Sequence, residues 1–191
     1  MTRLHRAVLL SAFMVCAPQV ARAQVGEVHI GPIASYGLPD SFGPGAGLVV
    51  GVAAGRLIYI GLRWAYQSGG TEVMGTPETP VSVTSRAQLF AFDLGLLFPA
   101  GAFEIVPGIS LGATRFAQQA DSPAGAVSQY DVALLAAPGL SVYTRLGALL
   151  VIPEMQYFLG RNPKLPWTVE HRGPAASVRL VIPFEVSRIR H

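Results

Sequence analysis

From Glu27 onward, large apolar side chains recur at every second position, and small or polar ones fill the places between them. A period of two marks a strand whose faces meet different surroundings, because successive side chains point to opposite sides of a sheet. Residues 57–67 read most clearly. Ile58, Ile60, Leu62, Trp64 and Tyr66 share one face; Gly61, Arg63, Ala65 and Gln67 share the other. The same alternation predicts seven further strands, at 27–36, 45–54, 84–98, 103–116, 130–143, 149–158 and 175–184. In 84–98, Arg86 and Gln88 fall on the apolar parity, so that end either rises beyond the apolar zone or contains a bulge.

The connections alternate in length. Gly55-Arg56, Pro99-Ala100-Gly101 and Arg145-Leu146-Gly147 are tight hairpin signals, whereas 37–44, 68–83, 117–129 and 160–174 read as longer polar loops. Short turns at one end and long loops at the other describe an up-and-down meander. An even number of strands returns both of its ends to the short-turn side.

Which face is hidden decides the surroundings. One face carries Ile, Leu, Val, Phe, Trp and Tyr; the other is dominated by Gly, Ala and Ser, with a few charges. Small residues suit the interior of an eight-stranded barrel, which side chains nearly fill, and large apolar ones suit lipid. In lipid every backbone N–H and C=O needs a partner, so the sheet must close. The expected fold is a closed eight-stranded antiparallel up-and-down transmembrane β-barrel. The reverse arrangement, a lipocalin-like soluble carrier with its apolar face inward, is the alternative. Tyr36, Trp64, Tyr66, Phe98, Phe103, Tyr130, Tyr143, Tyr157 and Phe184 fall near strand ends, where interfacial aromatic belts form. Pro32, Pro107, Pro138 and Pro153 fall inside strands; local bulges are the expected accommodation.

His29, Arg63, Asp93, Glu104, Glu154 and Arg179 all lie on the small-residue face. Each is costly in hydrocarbon and acceptable in a lumen if paired. The two arginines facing Asp93, Glu104 and Glu154 predict a charge network that plugs the interior, and a narrow polar pore is the alternative.

Composition adds an export reading. Arg3 and Arg6, the apolar run from Ala7 to Ala17, and Ala21-Arg22-Ala23 have the order of a secretory signal, with cleavage expected before Gln24. The expected organisation is a signal at 1–23, a barrel at 24–184 and a short tail at 185–191. Residues 1–23 hold three arginines and no acid, leaving 11 of the 14 bases against 11 acids. The remaining chain is neutral, and no nucleic-acid partner is implied. Cys16 falls within the signal, so the chain after it has no thiol for a disulfide, a metal or catalysis.

With these strands in place, the chain resembles the small eight-stranded outer-membrane barrels of the OmpA-transmembrane-domain and OmpX type. The resemblance rests on the signal, the eight alternating segments, the three tight turns and four loops. It rests also on the last strand, whose alternation ending at Phe184 is similar to an assembly signal. It implies an outer-membrane location with periplasmic short turns, with outer-membrane lipid and the barrel-insertion machinery as partners. It implies no cofactor and leaves the oligomeric state open.

Three functions are compatible with this frame. The first is a structural or surface-interaction protein, with Trp167, Glu170, His171 and Arg172 in the most decorated loop as candidate contacts. The second is a small pore lined by Arg63, Glu104 and Glu154. The third is an enzyme acting on lipid, for which Glu170-His171 beside Ser128 would be the only available set; no characteristic motif surrounds it, and the expected protein is not an enzyme. Three scattered histidines, His29, His171 and His191, do not make a metal site.

Overall fold

The structure, a computed structural model, describes residues 26–38, 43–54, 56–76, 79–161, 163–166 and 172–185. The expected signal at 1–23, the end of the tail, and the loop residues Trp167, Glu170 and His171 lie outside the described residues. Nine strands follow in chain order: β1 Glu27–Gly37, β2 Pro44–Ala54, β3 Ile58–Thr76, β4 Thr79–Leu96, β5 Phe98–Ala100, β6 Phe103–Ser122, β7 Gly125–Leu146, β8 Leu149–Gly160 and β9 Gly173–Glu185. The short β5 continues β4 across Leu97, so the wall has eight staves. Every pairing is antiparallel between neighbours in sequence, and β1 pairs with β9, which closes the ring.

Tight hairpins join the staves at one end. Gly101 and Gly147 have φ of 69° and 61° at the first position of two-residue turns, where a side chain would be strained. The described ends of the chain meet at this same end, Glu27 facing Glu185.

Alternation is preserved through every stave below the raised ends of β3 and β7. Leu62, Phe90, Leu134 and Met155 face outward, and Leu134 is 79% exposed. Arg63, Asp93, Glu154 and Arg179 face inward and are buried. The inner face is more apolar than the expected Gly, Ala and Ser. Ile33, Val49, Leu89, Val106, Phe116, Leu135, Leu150, Ile152 and Phe158 also fill it. Tyr143, expected in an outer aromatic belt, shares their inward parity and is buried in the lumen.

A wall this tightly curved needs places where neighbouring backbones nearly touch. A Cβ on Gly112 would stand 2.0 Å from the carbonyl oxygen of Phe90 on β4, and one on Gly47 2.0 Å from that of Trp64 on β3. Glycine kinks of this kind let a sheet coil into a closed barrel.

Two differences from expectation matter. The segments 68–83 and 117–129 are not loops. β3 and β4 pair out to Thr76 and Thr79, β6 and β7 to Ser122 and Gly125, and β4 and β6 stay paired out to Ser82 and Asp121. At that end β2 reaches only to the level of Gln67, and β8 ends opposite Leu135. One half of the barrel therefore rises as a four-stranded sheet above the other half. The irregularity near Arg86 lies on the partner strand, between Ser68 and Thr71 of β3, and β4 keeps its parity throughout.

The prolines are not at bulges either. Pro32, Pro107, Pro138 and Pro153 all point outward, and each has a continuous ladder with one neighbour. On the other side the pairing lapses beside each of them, between Ile30 and Ile33, between Phe98 and Gly95, and twice along β7–β8. The register is identical before and after each gap. An antiparallel residue directs its N–H and C=O to a single neighbour, so a missing N–H costs a local ladder contact without shifting the strands.

Candidate functional site

The interior is stacked in three layers. At the short-turn end Arg145 Nη2 donates to both carboxylate oxygens of Glu27, each at 2.8 Å, and His29 Nε2 lies 3.0 Å from Glu27 Oε1. His29 stacks on Tyr59 with ring centroids 5.8 Å apart, and Tyr59 meets Tyr143 edge to face. Val106, Leu150 and Val181 belong to the same cluster. The outermost layer is apolar, with Leu89, Phe116, Leu135 and Phe158 packed together and Leu165 from the 163–166 segment resting on them.

Between these layers lies a charged one. Arg63 on β3 donates from Nη2 to Asp93 Oδ2 at 2.9 Å and to Glu154 Oε1 at 2.9 Å, and from Nη1 to Gln156 Oε1 at 2.9 Å. Arg179 on β9 donates from Nη2 to Glu154 Oε2 at 2.7 Å and lies 3.2 Å from Asp93 Oδ2. Its guanidinium also stands over the Tyr59 ring. Ser110 Oγ donates to Asp93 Oδ1 at 2.6 Å, Ser177 Oγ to Glu154 Oε2 at 3.1 Å, and Gln156 Nε2 to Ser110 Oγ at 2.7 Å. Two cations and two anions balance, and the carboxylate oxygens are occupied. Such satisfaction is what makes a buried ionic group tolerable.

Of the six lumen residues read from the sequence, the structure brings Arg63, Asp93, Glu154 and Arg179 together. His29 belongs to the lower cluster. Glu104 is buried on the inward face of β6, opposite Tyr143, below the central network. Tyr59, Ser110, Gln156, Glu27 and Arg145 complete the two clusters; strand parity places all of them inside, Arg145 included, because β7 runs through this residue, which the sequence pattern assigns to the turn. Two spaces beside the network are small. One of about 20 Å³ lies beside Tyr59, Asp93 and Tyr143, and one of about 10 Å³ beside Gln67, Leu89 and Phe158. Each is room for about one water.

At the rim, Arg172 Nε donates to the carbonyl of Gly160, and Asp131 accepts from the Lys164 backbone N–H and from Arg161. Ser128 stands exposed on β7 opposite Gln119, with Glu170 and His171 outside the described residues. Among the described residues no three His, Cys, Asp or Glu converge as for a metal.

A closed up-and-down barrel with large apolar residues outside and a paired charge network inside defines the class of small eight-stranded outer-membrane barrels. Solved structures of that class share the fold. A major outer membrane protein of Thermus thermophilus is similar with a TM-score of 0.58 at 11% identity, over 84% of this chain and 100% of that one. The N-terminal β-barrel domain of Pseudomonas aeruginosa OprF gives 0.51 at 12% identity, over 84% and 98%. Ail, the attachment invasion locus protein of Yersinia pestis, gives 0.50 at 12% identity, over 84% and 100%. No protein-family model and no curated protein matches the sequence.

Proposed function

We propose that this protein is an outer-membrane barrel whose lumen is closed and which acts through its outer surface, as a structural or surface-interaction protein. The observation that carries the reading is the pairing of Arg63 with Glu154 and of Arg179 with Asp93 across the lumen. Four charged side chains from four staves neutralise one another where a pore would keep a wet passage, with the apolar Leu89–Phe158 layer on one side of them and the Tyr59–Tyr143 cluster with its Glu27–Arg145 pair on the other.

The apolar outer face supports residence in lipid, and the expected signal at 1–23 supports export. The half-barrel that rises beyond Gln67 and before Leu135 offers a polar surface to partners outside. Lipid and the insertion machinery are the partners that the reading requires.

Planar-bilayer recording of the refolded chain tests the closed lumen. Silence at all applied voltages is expected. Discrete conductance steps, altered by Glu154→Ala, would overturn the reading in favour of a narrow pore for small solutes.

A further inference from the structure

The outer wall carries an asymmetry that the lumen does not use. Arg86 on β4 and Arg115 on β6 both face outward and are exposed. The uppermost apolar rung on that wall is Trp64, Phe90, Ala113 and Leu134. One rung higher stand Tyr66, Gln88, Arg115 and Val132; the next holds Ser68, Arg86, Ala117 and Tyr130. Arg115 lies over the Tyr130 ring, 5.1 Å from its centroid. Neither arginine meets a carboxylate among the described residues. On the opposite wall the corresponding margin holds Tyr36, Ala176, Tyr157 and Pro174, and the next cation along that face, Arg172, donates to the Gly160 carbonyl.

Directly beneath the arginines the wall is concave. A groove of about 420 Å³ is lined by Leu48, Leu62, Trp64, Phe90, Phe92 and Leu111. That volume lies within the range of about 300–1,000 Å³ found for small-molecule sites. Apart from Arg63, whose charge is paired in the lumen, its lining is apolar, and the unpaired positive charge sits at one end only. Arginine forks match phosphate oxygens, and a cation at the level of interfacial tyrosines reaches headgroups.

We propose that this wall seats a phosphorylated outer-leaflet lipid, its phosphate against Arg86 and Arg115 and an acyl chain in the groove. The inference rests on the membrane reading above, and its test separates the two. The refolded chain in detergent is mixed with diphosphoryl lipid A or with phosphatidylethanolamine, and retained lipid is counted by native mass spectrometry. Entry into liposomes and heat-modifiable gel migration are followed alongside.

The wild type is expected to retain diphosphoryl lipid A over phosphatidylethanolamine by about tenfold or more, the scale of two interfacial arginines. An Arg86→Gln/Arg115→Gln variant loses that preference and still enters liposomes. Arg56→Gln, which removes one positive charge at the opposite end of the barrel, keeps it. Equal retention of the two lipids by the wild type, or an equal loss in Arg56→Gln, overturns the site and leaves the barrel in its membrane. A wild type that stays in solution without detergent and does not enter liposomes overturns both.

Discussion

Arg63 and Glu154 stand on β3 and β8, four staves apart whichever way the ring is followed, yet their side chains meet at 2.9 Å. Asp93 and Arg179 form a second pair across the adjacent diameter, one stave further round, at 3.2 Å. Opposite walls are thus held by charge through a core only two side chains wide. Removing one partner leaves a buried charge uncompensated, which costs about 3–5 kcal/mol. Glu154→Gln is expected to lower the unfolding free energy of the lipid-refolded protein, obtained from urea titration, by that amount. Adding Arg63→Gln to it should cost less than the sum of the single changes. A loss below about 1 kcal/mol in Glu154→Gln would show that water, not Glu154, balances the arginines.

Curvature makes a separate demand. With Phe90's carbonyl 2.0 Å from where a Cβ would stand, Gly112 has no room for any side chain, and the obstacle is backbone that cannot rotate away. Gly112→Val is expected to cost about 3 kcal/mol or more, on the scale of a strained core position, and to reduce the heat-modifiable fraction after refolding. Gly70→Ala, where nothing lies within 4 Å, serves as the comparison and should refold as the wild type does.

The barrel was legible in the sequence because each stave has one face toward each of two very different surroundings, and Ile58 to Gln67 shows that contrast at every residue. The same criterion hides the raised sheet. Thr71, Glu72 and Val73 are exposed alike, so no alternation survives there, although β-branched residues and the Thr71–Thr84 and Thr76–Thr79 hydroxyl pairs favour strands. Parity likewise placed Arg63, Asp93, Glu154 and Arg179 on one face. Their meeting could not be read from it, because the stagger between staves decides which side chains share a level. That stagger set His29 beside Tyr59 and Glu104 opposite Tyr143, whereas Glu27, two residues from His29 on β1, shares its face by parity alone.

If the raised sheet is an accessory to the ring, the ring should form without its tip. Below it, Gln67 already pairs with Ala87, and Ala87 with Phe116. Replacing residues 71–84 by Asn-Gly, which supplies a two-residue hairpin, is expected to leave heat-modifiable migration and liposome insertion intact. Among the described residues the one buried side chain it removes is Val83, a loss on the order of 1–2 kcal/mol. Failure to form a closed barrel would mean that the sheet nucleates the ring.

The rim segment that carries Leu165 is held by one carboxylate. Asp131 Oδ2 accepts the Lys164 backbone N–H at 2.7 Å, and Arg161 Nη2 lies 3.2 Å away. The Lys164 N–H, first among the causes, and the Arg161 charge hold this carboxyl below its ordinary value. A carboxyl depressed in the folded state stabilises it above the unfolded pKa, near 3.9, and that contribution is lost as pH falls through the lower folded value. The clamp is therefore complete at neutral pH and opens only below about pH 4. Hydrogen exchange at the Lys164 amide, corrected for its intrinsic rate, should show constant protection from pH 7 to about 5 and a decline below about 4. Asp131→Asn keeps an acceptor oxygen but no charge, so protection should be weaker throughout and flat with pH. An unchanged profile in that variant would move the clamp to another group. Because Leu165 rests on Phe116 and Phe158 through this segment, loss of protection should be accompanied by faster exchange at Leu165 itself.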